Sequence, residues 1–320
     1  MGDAVRVVLA LAAVVACGGA AGTGLDGDGG SGDDGGNDAS LADSSQNDAQ
    51  QQQDTQPAID APAFDPKSLS GLVLWLRGDL GVTSTNANVV SAWKDQSGNA
   101  NDATETRDGL QPTLVASGIH GLPTIHFAST ASSQAFSGFQ GNDLLIADSA
   151  TMEWGTGDFL VEVVGRYTND PTSQTHDAFA ALYIAIYGPP NTATMGLGLY
   201  GNVWKEPNDL ATSSAIEAYV WGQSPATSSG TGYNNGAPHV FAIQRVGTTL
   251  SVRVDGAQAG SQTIGSVDLG KPGGRLGGCE NAQAQRLEGD ISEVIAVNGT
   301  IANGDLSSLE GYLKSRYAIP

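Results

Sequence analysis

Glu288, Asp290 and Glu293 stand near the end of the chain at the spacing Glu-x-Asp-x-x-Glu. Two carboxyl groups on one face of a strand can divide the work of breaking a glycosidic bond: one protonates the leaving oxygen, the other attacks or activates water. Retention of configuration needs the two about 5–5.5 Å apart. In a regular strand alternate residues share a face, so Glu288 and Asp290 would point one way and Glu293 the other. Glu293 would be in phase with Ile291 and Ile295, partly buried and in need of a partner. The expected role is therefore a structural carboxylate, with hydrolysis as the alternative.

Asp95, Ser97, Asn99 and Asn101 place side-chain oxygens at alternate positions, as in the first half of a calcium loop. Thr106 occupies the position where such a loop carries its bidentate Glu, and Gly98 comes two residues too early for the sharp turn. Asx-turns explain the same composition, so a structural loop is expected, with Ca2+ as the cofactor it would hold otherwise. His120, His126, His176 and His239 are scattered without metal spacing, and no Gly-x-Ser-x-Gly element seats a nucleophile. His126, between Ile125 and Phe127, reads as a hydrogen-bonded strand residue.

Two segments, 200–209 and 221–235, mix aromatic rings with amides and carboxylates. A sugar offers apolar C–H faces and a rim of hydroxyls, which Trp or Tyr beside Asn and Asp can receive. Tyr200, Trp204, Asn208, Asp209, Trp221, Tyr233 and Asn234 are the candidate contacts there, and Trp154, just before a Gly-Thr-Gly turn, could join them. The opposing reading for each ring is a plug beneath its loop.

These residues would be carried by short apolar runs separated by Gly, Asn, Pro and Asp, at 71–77, 89–93, 123–127, 158–167, 178–187, 195–200, 216–221, 239–246, 250–254 and 291–297. Such runs predict strands. The run at 72–76 is continuously apolar, as in a strand buried on both faces. In 159–164 one parity is wholly apolar while Glu162 and Arg166 share the other, which predicts one face on a core. Gly247-Thr248-Thr249 and Asp255-Gly256 supply hairpin turns. A single helix is predicted near the end, from Leu306, Leu309, Tyr312 and Leu313, with Asp305 as N-cap and Lys314 and Arg316 in the last turn. The expected class is all-β, a jelly-roll sandwich of two antiparallel sheets with a short C-terminal helix.

Several segments carry a resemblance by their order: Leu74-Trp75-Leu76-Arg77, then Val90 to Asn99 with Asn101-Asp102-Ala103, then Gly121-Leu122-Pro123-Thr124-Ile125-His126-Phe127. Gly157-Asp158-Phe159, Val252-Arg253-Val254-Asp255-Gly256, Gly289-Asp290-Ile291-Ser292-Glu293-Val294-Ile295 and Leu309-Glu310-Gly311-Tyr312-Leu313 follow. Together they resemble a laminin-G-like domain of the concanavalin A-like lectin/glucanase superfamily. The resemblance implies that first and last strands pair, which makes Arg77 the expected partner of Glu293. The acidic spacing is close to that of laminarinase-type glucanases, but Gly289 replaces the apolar residue their motif carries. The superfamily includes lectins, glycosidases and adhesion modules, so the fold leaves function open.

The apolar run from Val7 into Val14-Val15-Ala16-Cys17 has the length of a signal-peptide core and the form of a bacterial lipobox, which predicts lipidation at Cys17 and an exported protein at the outer membrane or cell surface. Residues 18–66 hold ten Asp and no Lys or Arg, and read as a disordered acidic tether. Its r.m.s. span would be about 35–42 Å. The formal charge of −20 disfavours nucleic acid and anionic lipid as partners, so membrane contact is expected through the lipid alone. Residues 67–320 suit one domain, expected to be monomeric. If Cys17 is acylated, Cys279 is expected to be a buried free thiol. The functional expectation is a non-catalytic binding module for carbohydrate or a cell-surface component, with a glycan-active enzyme and a structural spacer as alternatives.

Overall fold

The computed structural model describes residues 64–128, 142–167, 179–180, 195–200, 215–220, 223–224, 226–233, 235–270, 273–277 and 285–320. All of them fall in the unit Ala58–Pro320. Among the described residues the strands run in chain order β1 Leu72–Arg77, β2 Val82–Ser84, β3 Val90–Trp93, β4 Ala103–Thr104, β5 Thr113–Val115 and β6 Thr124–Phe127. Then come β7 Leu144–Ile146, β8 Phe159–Tyr167, β9 Phe179–Ala180, β10 Met195–Tyr200, β11 Ala215–Val220 and β12 Ala226–Thr227. The last are β13 His239–Val246, β14 Thr249–Val254, β15 Ala257–Thr263, β16 Gly274–Leu276, β17 Gln285–Arg286 and β18 Gly289–Asn298, followed by helix α1, Asn303–Tyr317.

The main layer is antiparallel, in the order β15-β14-β13-β8-β18-β6-β5, with β1 also on β18. β18 is its axis. One edge of β18 pairs with β8 along its length, while the other pairs with β6 at Gly289–Ile291 and with β1 at Glu293–Val297. The opposing layer comes in two pieces, β16-β7-β4-β3-β2 and β10-β11-β12. The sandwich core between the layers holds Leu74, Trp93, Phe127, Ile146, Phe159, Val163, Ile216, Phe241, Val252 and Val294. Among the described residues a two-residue parallel pair, β17 with β9, is the exception to antiparallel pairing.

The hairpins form where the turn chemistry allows. Asp255 and Gly256, between β14 and β15, both have positive φ, 52° and 84°, the pattern of an Asp-Gly type I′ turn. The second face of the main layer is also covered. Trp75, Leu160, Val164, Val240, Ala242, Ile295 and Val297 form a separate core with Leu306, Leu309, Leu313 and Tyr317 of α1. This corrects the expectation for β8: both of its faces are buried, and Glu162 lies beneath the helix at 1% exposure.

α1 begins one turn earlier than the apolar spacing suggests. Ala302 is its N-cap with no side-chain bond, and Asp305 sits inside the first turn, where it still complements the helix dipole. At the other end of the sandwich, Arg245 is 1% exposed and donates to the carbonyls of Gly155, Gly157 and Val267 at 2.9, 2.6 and 3.0 Å. The buried cation is tolerated because these oxygens replace its water, with Asp158 and Asp268 adding attraction.

Candidate functional site

The register of β18 shifts between Ile291 and Glu293. Asp290 lies opposite Arg166 and Glu293 opposite Val164, so the extra residue at Ser292 turns Glu293 onto the face of Asp290. The expectation that the two acids point to opposite faces is thereby corrected. Both look toward the α1 side of the main layer.

They meet different surroundings. Glu293 is 1% exposed. Its carboxylate accepts from Trp75 Nε1 at 2.7 Å, Tyr317 OH at 2.8 Å and Tyr312 OH at 3.1 Å. Arg316 Nε stands 3.5 Å away, at ion-pair range without hydrogen-bond geometry. Burial raises the Glu293 carboxyl above its ordinary value, and the Trp75, Tyr317, Arg316 and Tyr312 contacts only partly offset it. For Asp290 the balance is reversed. Burial acts upward, but His126 Nδ1 at 2.9 Å and Arg166 Nε at 2.6 Å hold it below the usual carboxylate range. His126 is raised in turn, chiefly by its bond to Asp290, with Glu288 contributing.

Two acids shifted in opposite directions on one face resemble an acid–base division of labour. Access decides against that use at Glu293, whose lone pairs are taken by Trp75 and by two α1 tyrosines that cover it. A second split pair lies between β4, β7 and β16, where Glu105 and Asp143 are both buried. Arg107 bonds both acids, and Arg275 also bonds Asp143. Burial, reinforced by Glu105, raises Asp143, whereas the Arg107 bonds outweigh burial at Glu105 and lower it. The arrangement clamps three short strands together.

Arg77 lies opposite Glu293 in the β1–β18 register, as the pairing of first and last strands implies. Its guanidinium turns elsewhere. It makes a two-point pair with Asp79 at 3.0 and 2.7 Å and stacks on Trp75 at 5.5 Å, while Arg316 of α1 supplies the cation near Glu293.

The Asp95 loop is stitched to β1. Asp95 Oδ1 accepts from Trp75 N and Ser97 N, both at 2.9 Å, and Oδ2 from Ser97 Oγ at 2.6 Å and Asn101 N at 3.1 Å. Asn99 and Asn101 donate to the carbonyls of Leu72 and Val73 at 3.0 and 2.7 Å. The oxygens that a Ca2+ ion would need face donors of the protein's own backbone. Among the described residues, no group of three His, Cys, Asp or Glu gathers into a metal site.

Trp154 is not a surface contact: it is 2% exposed, packs on Phe159 at 5.4 Å, and presents no face to a sugar. Tyr233 is half-buried and meets His239 edge-on at 5.2 Å, while His239 Nδ1 contacts Asp255 at 2.8 Å. Tyr200 ends β10, and its side chain lies outside the described residues, as do Trp204, Asn208, Asp209, Trp221, Asn234, Cys17 and Cys279.

Beside the Glu293 cluster the chain forms an open pocket of about 520 Å³ lined by Phe64, His120, Leu122, Tyr312, Ser315 and Arg316. Sequence reasoning missed it because its walls come from three distant segments. The available signal was α1 itself, whose Tyr312 and Arg316 fall beside the Leu306–Leu309–Leu313 stripe and so had to lie at the margin of its buried face.

No family model and no curated protein matches the chain. Solved structures do. Domain 4 of AbnA, a GH43 extracellular arabinanase from Geobacillus stearothermophilus solved in complex with arabinotriose, is similar at 13% identity, over 76% of this chain and 99% of that domain, with a TM-score of 0.50. The binding domain of Paraclostridial Mosquitocidal Protein 1 is similar at 13% identity over 77% of this chain, with a TM-score of 0.49. Trypanosoma rangeli sialidase in complex with sialic acid is similar at 13% identity over 77% of this chain, also at 0.49. The chain spans 52% of the mosquitocidal binding domain and 33% of the sialidase. At these identities the likeness concerns the β-sandwich fold.

Proposed function

We propose that this protein is a non-catalytic carbohydrate-binding module of the laminin-G-like type, exported and held at a membrane surface by lipid on Cys17, with the acidic segment as its spacer only as far as residue 63, because Phe64 and the capped turn Pro66–Ser68 already pack on the domain. The observation that carries the non-catalytic part is the enclosure of Glu293. An acid needed at a scissile bond must reach substrate, and this one is bonded to Trp75, Tyr312 and Tyr317 under α1. The carbohydrate part draws support from the arabinanase domain, which holds arabinotriose on a similar sandwich.

A hydrolase is the second reading, and the bulge at Ser292 is what favours it, since it aligns Glu293 with Asp290. One experiment separates the two. The purified chain is incubated with arabinan, β-glucan and sialylated glycans, and both retention and release of reducing sugar are measured. Retention without release is expected; release that disappears in a folded Glu293→Gln variant would overturn the proposal. Export and anchoring are tested by incorporation of an alkyne-tagged fatty acid in cells, expected in the parent and absent in Cys17→Ser. Equal labelling of the two would remove Cys17 from the scheme.

A further inference from the structure

We infer that the pocket between Phe64, His120 and the last turns of α1 is a subsite for one neutral sugar ring, an inference that rests on the carbohydrate-binding reading above. Phe64 and Tyr312 meet with ring centroids 6.0 Å apart and planes inclined by 49°, forming an open aromatic corner with Leu122 beside it. The C–H face of a pyranose or furanose matches such a corner, and aromatic faces bind it without requiring charge.

The corner is fixed before any ligand arrives. Tyr312 is anchored through its hydroxyl to Glu293 at 3.1 Å, so its ring cannot swing away. Phe64 precedes Asp65, whose carboxylate accepts from Lys67 N at 3.0 Å and caps the short turn Pro66–Ser68. Walls held in place lower the ordering cost of binding.

Polar groups surround the apolar floor. His120 and Ser315 are exposed at the pocket. His120 has φ 50° and is followed by Gly121 at φ 74°. His is among the side chains that take the left-handed backbone most readily, and this conformation leaves the His120 imidazole at the pocket. Arg316 brings a planar guanidinium whose Nε is buried beside Glu293 and whose Nη2 bonds Asp79 at 2.6 Å, which leaves its outer N–H groups as the ones that can meet a hydroxyl. Its charge is a different matter. Arg316 and Arg77 share Asp79, and Glu293 stands 3.5 Å from Arg316, so two guanidiniums face two acids, and the chain as a whole carries −20. The site therefore offers hydrogen bonds to hydroxyls and no surplus positive charge to a carboxylate. Its volume of about 520 Å³ accepts a ring, and its mouth is open.

The test uses the full chain with Phe64→Ala, Phe64→Tyr and His120→Asn; Asn tolerates the left-handed backbone, and unchanged melting temperatures certify each fold. The parent is first screened on an array of neutral and acidic glycans, then titrated with arabinotriose, cellotriose and trigalacturonate. Binding of a neutral trisaccharide is expected, weakened at least tenfold in Phe64→Ala and severalfold in His120→Asn, and retained in Phe64→Tyr. Full affinity in both Phe64→Ala and His120→Asn would overturn the pocket while leaving the module reading intact. Preference for trigalacturonate, lost in Phe64→Ala, would overturn the neutral assignment. Silence of the parent across the whole array would overturn the module reading and the subsite with it.

Discussion

Tyr312 donates to Glu293 across 3.1 Å, and in doing so fastens α1 to the axis of the main layer. The same residue walls the open pocket with its ring, so one side chain links the enclosed acid to the exposed surface. Together with Trp75 and Tyr317, it makes Glu293 the point where β1, β18 and α1 are joined.

Removing the charge of Glu293 should therefore loosen all three elements. Glu293→Gln presents an amide N–H₂ where donors already point, and a loss of about 1–3 kcal/mol is expected. Tyr317→Phe, which deletes one donor at 2.8 Å, should cost about 1 kcal/mol. Urea unfolding checks both, and a Glu293→Gln midpoint equal to the parent's would refute the structural role.

Glu162 should make stability depend on pH. Among the described residues nothing donates to either of its oxygens. Burial, reinforced by Glu310 of α1 and relieved by Arg253 of β14, pushes its carboxyl well above the ordinary 4.5. An acid whose folded value exceeds its unfolded value favours the fold by keeping its proton; that contribution is complete below the unfolded value and is lost as pH rises through the folded one. Glu217, raised by burial to about 7, acts in the same direction between 4.5 and that value. Glu162→Gln has no proton to lose. Its melting temperature should gain on the parent as pH rises above about 4.5, and a difference that does not change with pH would contradict the assignment.

Arg245 is expected to be intolerant of substitution. Arg245→Met removes the guanidinium that lies over the Phe159 ring at 5.2 Å and strands the carbonyls of Gly155, Gly157 and Val267. A loss of about 3 kcal/mol should result, read as a fall in melting temperature with no change in the circular dichroism of the folded state.

The Asp95 loop should ignore chelators. Its carboxylate oxygens already accept from Trp75, Ser97 and Asn101, so EDTA is expected to leave the melting temperature in place. Asp95→Ala should lower it through about 1–3 kcal/mol of lost bonds. A chelator-dependent shift in the parent that Asp95→Ala abolishes would assign a cation to the loop instead.

The parts legible in the sequence were those in which periodicity and turn chemistry agree. The runs that became β8, β13, β14 and β18 are long and apolar, and Gly247 and Asp255-Gly256 mark the hairpins between β13, β14 and β15. Strands of two or three residues, such as β4, β7 and β16, contain too few positions to show a period. β15, Ala-Gln-Ala-Gly-Ser-Gln-Thr, is an outer strand whose pairing lies in its backbone rather than its composition. The decisive miss was Ser292. Nothing in Asp290-Ile291-Ser292-Glu293 announces an extra residue, yet it decides which face Glu293 takes. Glu162 was misread for a related reason: a carboxylate in a strand signals water, and only the docking of α1 encloses it.

The position of β18 also constrains how the molecule comes into being. The strand at the middle of the main layer comes after every other described strand in the chain, and Trp75 must find Glu293 across a sequence separation of 218. Such distant pairing slows folding. Until β18 exists, β1 lacks the strand it pairs with, β6 has only β5 and β8 only β13; the three segments that β18 joins cannot form one layer before it, and a truncation before Gly289 should yield no folded fragment.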